Sequence, residues 1–542
     1  ANMYYGTDFY RITQLELRDI RLAYAPPRAI GNYGDEIDNF MWPRHTGDFT
    51  LLRAYVGKDG RPAAHSADNV PYRAPAHLTV SRDGPREGSF AMLAGYPGVT
   101  FRHRTAAEFA EQVEWTLPAR VAVFDQLIEV IERAGRDDAE ARTRYAAQLQ
   151  SLKNSRKRAA GELEGLRRSD AVGRRAEDEG GMLAATARGE STDIAALRAS
   201  LAEASAVRER DLLLGLAASQ SQLLRAALTL ERLRIESAKP DAQRESGYQA
   251  RDHALIEGTL RQVQRRYHPD VEKALLAAVL GRYQRLPEAQ RVPEFDAAFG
   301  RTPEQLRSAL DALYARTTLG DEAQRLSRFA AAREGQALAD DPMIALAAAL
   351  MPAQLRLEDQ RKARDGEQLR LRPAYMRALL AWRRQQGRDV YPDANGTLRV
   401  SFGRLEALQP RDAVSYAPVT TVAGIVEKNT GAEPFDAPAP LLAAIAKGDF
   451  GGTADRALDT QTVNFLTNLD TTGGNSGSPV LDARGELIGL NFDSNWESVS
   501  ASWWYDPRFK RAIHVDLRYM RWLMAKVYPA PHLLREMGLP AE

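Results

Sequence analysis

Residues 462–492, TVNFLTNLDTTGGNSGSPVLDARGELIGLNF, decide how this chain is read. Thr462 to Leu469 alternates apolar and polar residues, the pattern of a half-buried strand. Val480-Leu481 and Leu487 to Phe492 are short apolar runs separated by Asp482-Ala483-Arg484-Gly485. The segment Gly473-Gly474-Asn475-Ser476-Gly477-Ser478-Pro479 therefore falls on a tight loop between strands. Glycines beside Ser476 let the main chain turn inward without a Cβ clash, leaving the hydroxyl open and the N–H groups of Gly474 and Ser476 aimed at one point. That suits a nucleophile of acyl transfer, with the N–H pair as the oxyanion hole. Hairpin turns also collect Gly, Asn and Ser, so the seven residues alone admit a purely structural reading as well.

The chain has 542 residues, too many for one hydrophobic core, and two or three domains are expected. Lys and Arg number 73 against 72 Asp and Glu, a net charge of +1 that gives no basic field for nucleic acid. There is no cysteine, which removes disulfides and thiolate chemistry. The longest apolar run, Ile344 to Met351, is too short to span a bilayer.

Patterning divides the chain into three stretches. Ile20 to Tyr24, Phe49 to Val56 and Ser89 to Leu93 read as strands, so residues 1–100 are expected to form part of a β-barrel region. Thr105-Ala106-Ala107-Glu108 has the spacing of a capping box. From there to about Gln386 the chain is rich in Ala, Leu, Arg, Glu and Gln, with apolar residues at helical spacing, as in Leu127, Val130 and Ile131 or Leu223, Leu224, Leu228, Leu230 and Leu233. Residues 101–392 are thus expected to be an inserted all-α domain. Within it, Tyr267-His268-Pro269-Asp270 contains the His-Pro-Asp triplet of co-chaperone J domains, but a fresh apolar run follows. Pro269 then marks a break between two helices and Asp270 an N-terminal cap or first-turn acid. Strand signals return at Thr397 to Phe402 and Val414 to Val426, so 393–542 is expected to be a second β domain carrying the serine. It closes with a helix from His514-Val515-Asp516 through Met524 and Val527.

A serine nucleophile needs a base, and the base an orienting acid. Asp48 is the best acid, in the polar and aromatic loop Asp38 to Phe49 just before an apolar strand. Among the eight histidines, His45 is closest to Asp48, yet three loop residues give its ring little reason to span carboxylate and serine. The order base, acid, nucleophile places the base upstream of Asp48, and the 47 residues there are about half of what a six-stranded barrel needs. The base is expected to be missing from this chain.

Glu36 to Phe49, Gly95-Tyr96-Pro97-Gly98, Tyr391-Pro392-Asp393-Ala394-Asn395, Thr471 to Pro479, Asn495-Trp496-Glu497 and His514-Val515-Asp516 together resemble the bacterial dipeptidyl-peptidases 7 and 11. The resemblance spans nearly the whole chain. It implies an α+β multidomain fold, a chymotrypsin-like double β-barrel with its first barrel incomplete here, capped by a large inserted helical domain. It also implies a serine exopeptidase without metal or cofactor, a homodimer in the periplasm or at the outer surface of a Gram-negative bacterium, releasing dipeptides from peptides with free N-termini. Carried over by residue, Asp48 is the triad acid and Ser476 the nucleophile, with the triad histidine in an upstream segment absent here. The chain by itself is then expected to be inactive. Asn39, Asn154 and Asp493 take the substrate's free amine, where a buried ammonium must meet amide oxygens and a carboxylate. Phe40 and Arg44 complete the substrate-binding set in the acidic-aromatic loop.

Two departures bear on specificity. Phe40 stands where the family usually has Trp, keeping the aromatic wall and losing an N–H donor. At Ser494 the family has Arg in enzymes that cut after Asp or Glu and Gly in those that prefer bulky apolar residues. Without a cation at that position, cleavage after apolar or small neutral residues is expected. Two alternatives stay open: a glutamyl-type serine endopeptidase, which would not need a helical cap, and a noncatalytic peptide-binding fragment or inactive homologue.

Overall fold

The computed structural model describes residues 1–541, a mixed α/β chain that divides into two compact units. The first comprises residues 1–113, 160–182 and 379–542; the second, 114–159 and 183–378.

The first unit carries the strands. β1 (Asp19–Tyr24), β2 (Leu51–Val56) and β3 (Val70–Pro71) form a three-stranded antiparallel sheet in that order, with Ile20 opposite Ala54 and Leu22 opposite Leu52. A seven-stranded sheet is built from β4 (Phe90–Gly95), β5 (Arg399–Arg404), β6 (Val419–Thr421), β7 (Thr462–Thr467), β8 (Pro479–Leu481), β9 (Leu487–Ser494) and β10 (Ala512–Asp516). Its order is β6-β7-β10-β9-β8-β4-β5. Just past β5, Leu405 bridges to Thr467 of β7, and Asn468 N donates to Arg404 O at 3.1 Å, so the far edge returns toward β7.

Several expectations shift here. The Ser89 to Leu93 run, read with the N-terminal β region, is instead β4, which lies between β8 and β5 with Leu93 opposite Val480. Ala91 and Leu93 need an apolar neighbour, and Phe465, Val480 and Ile488 supply it in one buried cluster. Composition expected the α domain to run through 101–392, whereas residues 101–113, 160–182 and 379–392 cluster with the strands.

β7, expected to be half-buried, is buried at every residue. Its polar side chains are matched by partners within the protein: Thr462 donates to Asp516, Asn464 bonds the main chain of Thr46, and Thr467 meets His514. Buried polar groups tolerate such a position only when they are paired in this way.

Val414 to Val426 is strand only in part, since Val422–Lys428 is a helix burying Val422 and Ile425 at helical spacing. His514-Val515-Asp516 is strand rather than helix. The helix begins at Leu517, where the Asp516 carboxylate accepts the Arg518 N–H and caps it.

The second unit is helical, with a core that includes Leu127, Ile131, Leu223, Leu224, Leu228, Leu230, Leu233, Leu275 and Leu276. Pro269 opens the helix Pro269–Tyr283 with Asp270 in its first turn. Glu272 of that helix is fully buried and accepts from Ser221 Oγ, Tyr314 Oη and the main-chain N–H groups of Gln222 and Leu223. It thereby satisfies the open N-terminus of the helix Gln222–Ser237. The capping box Thr105–Glu108 forms in the first unit, at the head of the helix Ala106–Glu111. Among the described residues no helix is long and apolar enough to cross a membrane.

Candidate functional site

The serine loop joins β7 to β8 and is held by its own main chain. Asn475 N donates to Thr472 O at 3.1 Å, Ser478 N to Asn475 O at 3.0 Å, and Gly477 N to Asn491 O of β9 at 2.7 Å. Gly98 N reaches Gly473 O at 2.7 Å, which ties the loop to the turn Gly95 to Gly98. Contact there is close: a Cβ on Gly474, whose φ is +105°, would stand 2.6 Å from Tyr96 O, and one on Gly95 would stand 2.8 Å from Asn475 Oδ1. Ser476 is exposed, with its Oγ 3.4 Å from Phe492 O. The N–H groups of Gly474 and Ser476 donate to no acceptor among the described residues. The result is an open hydroxyl beside two uncommitted N–H groups.

The loop carrying Asp48 is pinned from beneath. Asn464 of β7 accepts Thr46 N and donates to Thr46 O, each at 2.9 Å. Asp493 near the end of β9 holds the other side: its Oδ2 accepts Arg44 Nη1 at 2.7 Å and Phe40 N at 3.0 Å, and its Oδ1 accepts Ser494 N at 2.8 Å. Arg44 also donates to Asp38 O at 2.7 Å and lies over the Phe492 ring at 5.2 Å. Phe40 sits at φ +59°, a strained conformation for a bulky residue, and its N–H bond to Asp493 keeps it there.

Asp48 keeps an exposed edge, but partial burial raises its carboxyl above the usual range. Arg44 opposes that shift and Asp493 adds to it. Ser476, Phe492, Asp493, Arg44, Phe40 and Asp48 are thus drawn together by β7, β9 and the 38–48 loop. Asn39, next to Phe40, is half-buried and donates to Glu36 Oε1 at 2.9 Å. Asn154 belongs to the second unit, exposed on the helix Ala139–Arg168.

Among the described residues no histidine bonds Ser476 or Asp48. His45 is buried against Gly424, its Nδ1 without a partner, and burial followed by the nearby Lys428 charge lowers its pKa to about 3. His514 is buried in β10, its Nε2 2.6 Å from Thr467 Oγ1 and its ring against Phe465; burial and then Lys510 lower it to about 3 as well. Both rings are neutral packing groups.

The structure adds residues that the sequence reading passed over. Lys510 is buried beside the site and donates to Ser494 Oγ at 2.6 Å. Thr471 Oγ1 faces the same hydroxyl at 3.5 Å. Asp470 is paired with Arg102 by contacts of 2.5 and 2.7 Å. Asp393, in the Tyr391 to Asn395 stretch, collects Tyr5 Oη, Thr100 Oγ1 and the N–H groups of Arg102 and His103. Burial raises its carboxyl, but His103 and these donors outweigh it and hold the group below the usual range. The signal for Lys510 is a Lys-Arg pair directly before the strand residues Ala512-Ile513-His514-Val515, a mostly apolar run where a solvated cation does not fit.

Comparison with known proteins gives a consistent result. The Peptidase S46 family profile matches residues 1–539. The Asp/Glu-specific dipeptidyl-peptidase of Shewanella putrefaciens is 40% identical over 560 residues, covering 98% of this chain and 76% of that protein. Dipeptidyl-peptidase 7 of Porphyromonas gingivalis is 30% identical over 551 residues, covering 99% and 75%. The crystal structure of Porphyromonas endodontalis DPP11 in complex with the dipeptide Arg-Glu superposes with a TM-score of 0.81 at 30% identity, covering 99% of this chain and 77% of that one.

Proposed function

The chain belongs to the peptidase S46 family and to its dipeptidyl-peptidases, and from that premise we propose that Ser476 is the nucleophile of a serine dipeptidyl-peptidase that cuts after an acidic second residue. The observation that carries the proposal is the exposed Ser476 hydroxyl beside the uncommitted N–H groups of Gly474 and Ser476. Ser476 Oγ attacks the carbonyl carbon of the second residue as its proton passes to a histidine base. The two N–H groups hold the oxygen that becomes negative, the base returns the proton to the leaving amine, and water then frees the dipeptide from the acyl-enzyme.

None of the eight histidines here is placed to serve, so we assign the base to a histidine outside residues 1–542. Residues 1–542 alone are then inactive. Asp48 orients that imidazole and stabilises it when charged. The bridge from Leu405 to Thr467 supports a closed β-barrel around the serine, in keeping with a chymotrypsin-like double barrel.

Selection for a dipeptide needs a fixed reference at the substrate's amine. Asp493 supports such a role: its two oxygens offer about four acceptor sites, and Arg44, Phe40 and Ser494 use three of them. Asn39 is assigned to the same ammonium. An apolar or small neutral residue before the cut, expected from Ser494, finds no support, because the similar proteins of S. putrefaciens and P. gingivalis include enzymes named Asp/Glu-specific. The absence of Arg at this position does not leave it without a cation, since Lys510 stands behind Ser494.

The test is dipeptide release from matched peptides with free and N-acetylated termini by the natural enzyme carrying this chain. Release from the free peptide alone, abolished by Ser476→Ala, is the expected result. Equal cutting of blocked peptides would instead favour an endopeptidase, and binding without cutting would favour a noncatalytic peptide-binding protein.

A further inference from the structure

We propose that Lys510 is the specificity-determining cation of this site, acting through the Ser494 hydroxyl on the side-chain carboxylate of the residue before the cut; the inference rests on the dipeptidyl-peptidase reading above. Ser494 ends β9 two residues after Phe492, whose carbonyl lies against Ser476 Oγ. Thr471, on the segment leading into the serine loop, meets Ser494 across a gap of 3.5 Å between hydroxyls. The side chain of an acyl residue bound at Ser476 meets the rim that these two hydroxyls form. Ser494 is half-buried there, whereas Lys510 is 1% exposed, so the hydroxyl is the group an incoming side chain meets.

A hydroxyl that accepts from an ammonium keeps its own O–H to donate. Ser494 therefore offers a carboxylate a donor polarised by a full positive charge behind it, and a lysine reaching from β10's entry does what an arginine on β9 would do directly. Lysine carries three donors, and Ser494 Oγ is the acceptor Lys510 meets among the described residues.

The charges around Lys510 point the same way. Asp470 is taken by Arg102, and Asp493 by Arg44. Arg511, next in sequence, reaches Glu406 at 3.4 Å, and His514, on the strand that follows, is neutral. Lys510 is in no ion pair among the described residues. Lys510 thus keeps no carboxylate partner of its own among the described residues, a place that an Asp or Glu side chain fills and a Gln side chain does not. Burial pushes the Lys510 ammonium down to about 7, with Asp470 and Asp493 raising it and Arg102 lowering it. A buried ammonium in this condition gains from a carboxylate partner.

The experiment uses the natural full-length enzyme and a matched pair of dipeptidyl-coumarin substrates that end in Glu or Gln. The quantity read is the ratio of their kcat/KM values. We expect Lys510→Met to lower the Glu/Gln ratio roughly ten- to a hundredfold, the range set by a charge-assisted hydrogen bond.

The unsubstituted enzyme provides a second, independent readout. A base histidine titrates for both substrates and cancels in the ratio, and kcat/KM reports ionisation of the free enzyme. Lysine is the cation below its pKa and neutral above it, and the substrate's Glu is ionised above about pH 5, so the ratio should be level between about 5.5 and 6.5 and fall above about 7. A ratio unmoved by the substitution overturns the proposal and leaves the dipeptidyl-peptidase reading standing. If the substituted chain does not fold, Ser494→Ala removes the hydroxyl through which Lys510 acts, and a ratio unmoved by that substitution overturns the proposal equally. An unsubstituted enzyme that favours Gln or apolar residues also overturns it. Failure to release any dipeptide removes the underlying reading, and the proposal with it.

Discussion

Replacing Gly474 by Ala tests whether the serine loop is built around the close approach of its main chain to the turn Gly95 to Gly98. Gly474 has φ +105°. A Cβ there would stand 2.6 Å from Tyr96 O, 3.0 Å from the carbonyl carbon of Pro97 and nearer still to Gly98 N, all of them main-chain atoms. Ordinary contact begins at 3.4 Å, and Gly98 N is the nearest of the three atoms, so the loop must move by about 1 Å to restore it.

That movement falls on a loop whose bonds from Gly98 N to Gly473 O and from Gly477 N to Asn491 O are both 2.7 Å. An oxyanion donor must sit within about 2.7–3.1 Å of the developing charge, so a shift of this size forfeits it. Loss of one such donor costs about 2.7–4 kcal/mol in the transition state, a hundred- to thousandfold in kcat. The positive φ adds roughly 1–2 kcal/mol of backbone strain to the folded state. The assay is steady-state hydrolysis of a dipeptidyl-coumarin by the natural enzyme, with thermal unfolding of the same samples. We expect kcat to fall by that factor, KM to change little and the unfolding temperature to drop by a few degrees. A folded variant whose kcat stays within tenfold of the unsubstituted enzyme would refute the oxyanion assignment of Gly474.

Asp493→Ala leaves the Arg44 guanidinium, 7% exposed, without its carboxylate and Phe40 N without its acceptor. Breaking a buried pair on one side costs about 3–5 kcal/mol, and a urea-unfolding loss below about 1 kcal/mol would show that the pair does not anchor the loop. His45 and His514 are held neutral with folded pKa values of about 3, against 6.5 for the free side chain. Between those values the unfolded chain binds protons that the folded chain does not. Stability therefore falls as pH drops below 6.5, by up to about 1.4 kcal/mol per unit for each histidine. The depressed carboxylates, such as Asp393, act only at lower pH, whereas the lowered Lys510 acts in the same sense as the rings near pH 7 and the raised carboxyl of Asp48 in the opposite sense. The two rings together outweigh Asp48, so the urea midpoint is expected to be lower at pH 5 than at pH 7, and a midpoint higher at pH 5 would mean that neither ring is buried as described.

Local pattern alone determined the helical stretch, the existence of most strands and the exposed loop around Ser476. Each follows from spacing within a few residues: leucines at helical intervals, Thr105 three residues before Glu108, and glycines on both sides of a serine. Proline placed Pro269 at a helix start because its missing N–H is harmless only there. What sequence could not determine depends on pairing between distant segments. The run at Ser89 to Leu93 reads the same whether its partner is a neighbouring strand or one at Arg399–Arg404, more than 300 residues away. The polar side of β7 reads as a face toward water, because alternation does not distinguish solvent from Thr46, His514 and Asp516 as hydrogen-bond partners.

The same limit governs specificity. Ser494 viewed as a letter has no charge, and the inference drawn from it was an uncharged pocket. Folding brings Lys510, 16 residues later, within 2.6 Å of that hydroxyl. Electrostatics depends on distance in space and on burial, and a sequence gives neither until the strands that carry the charges have been paired.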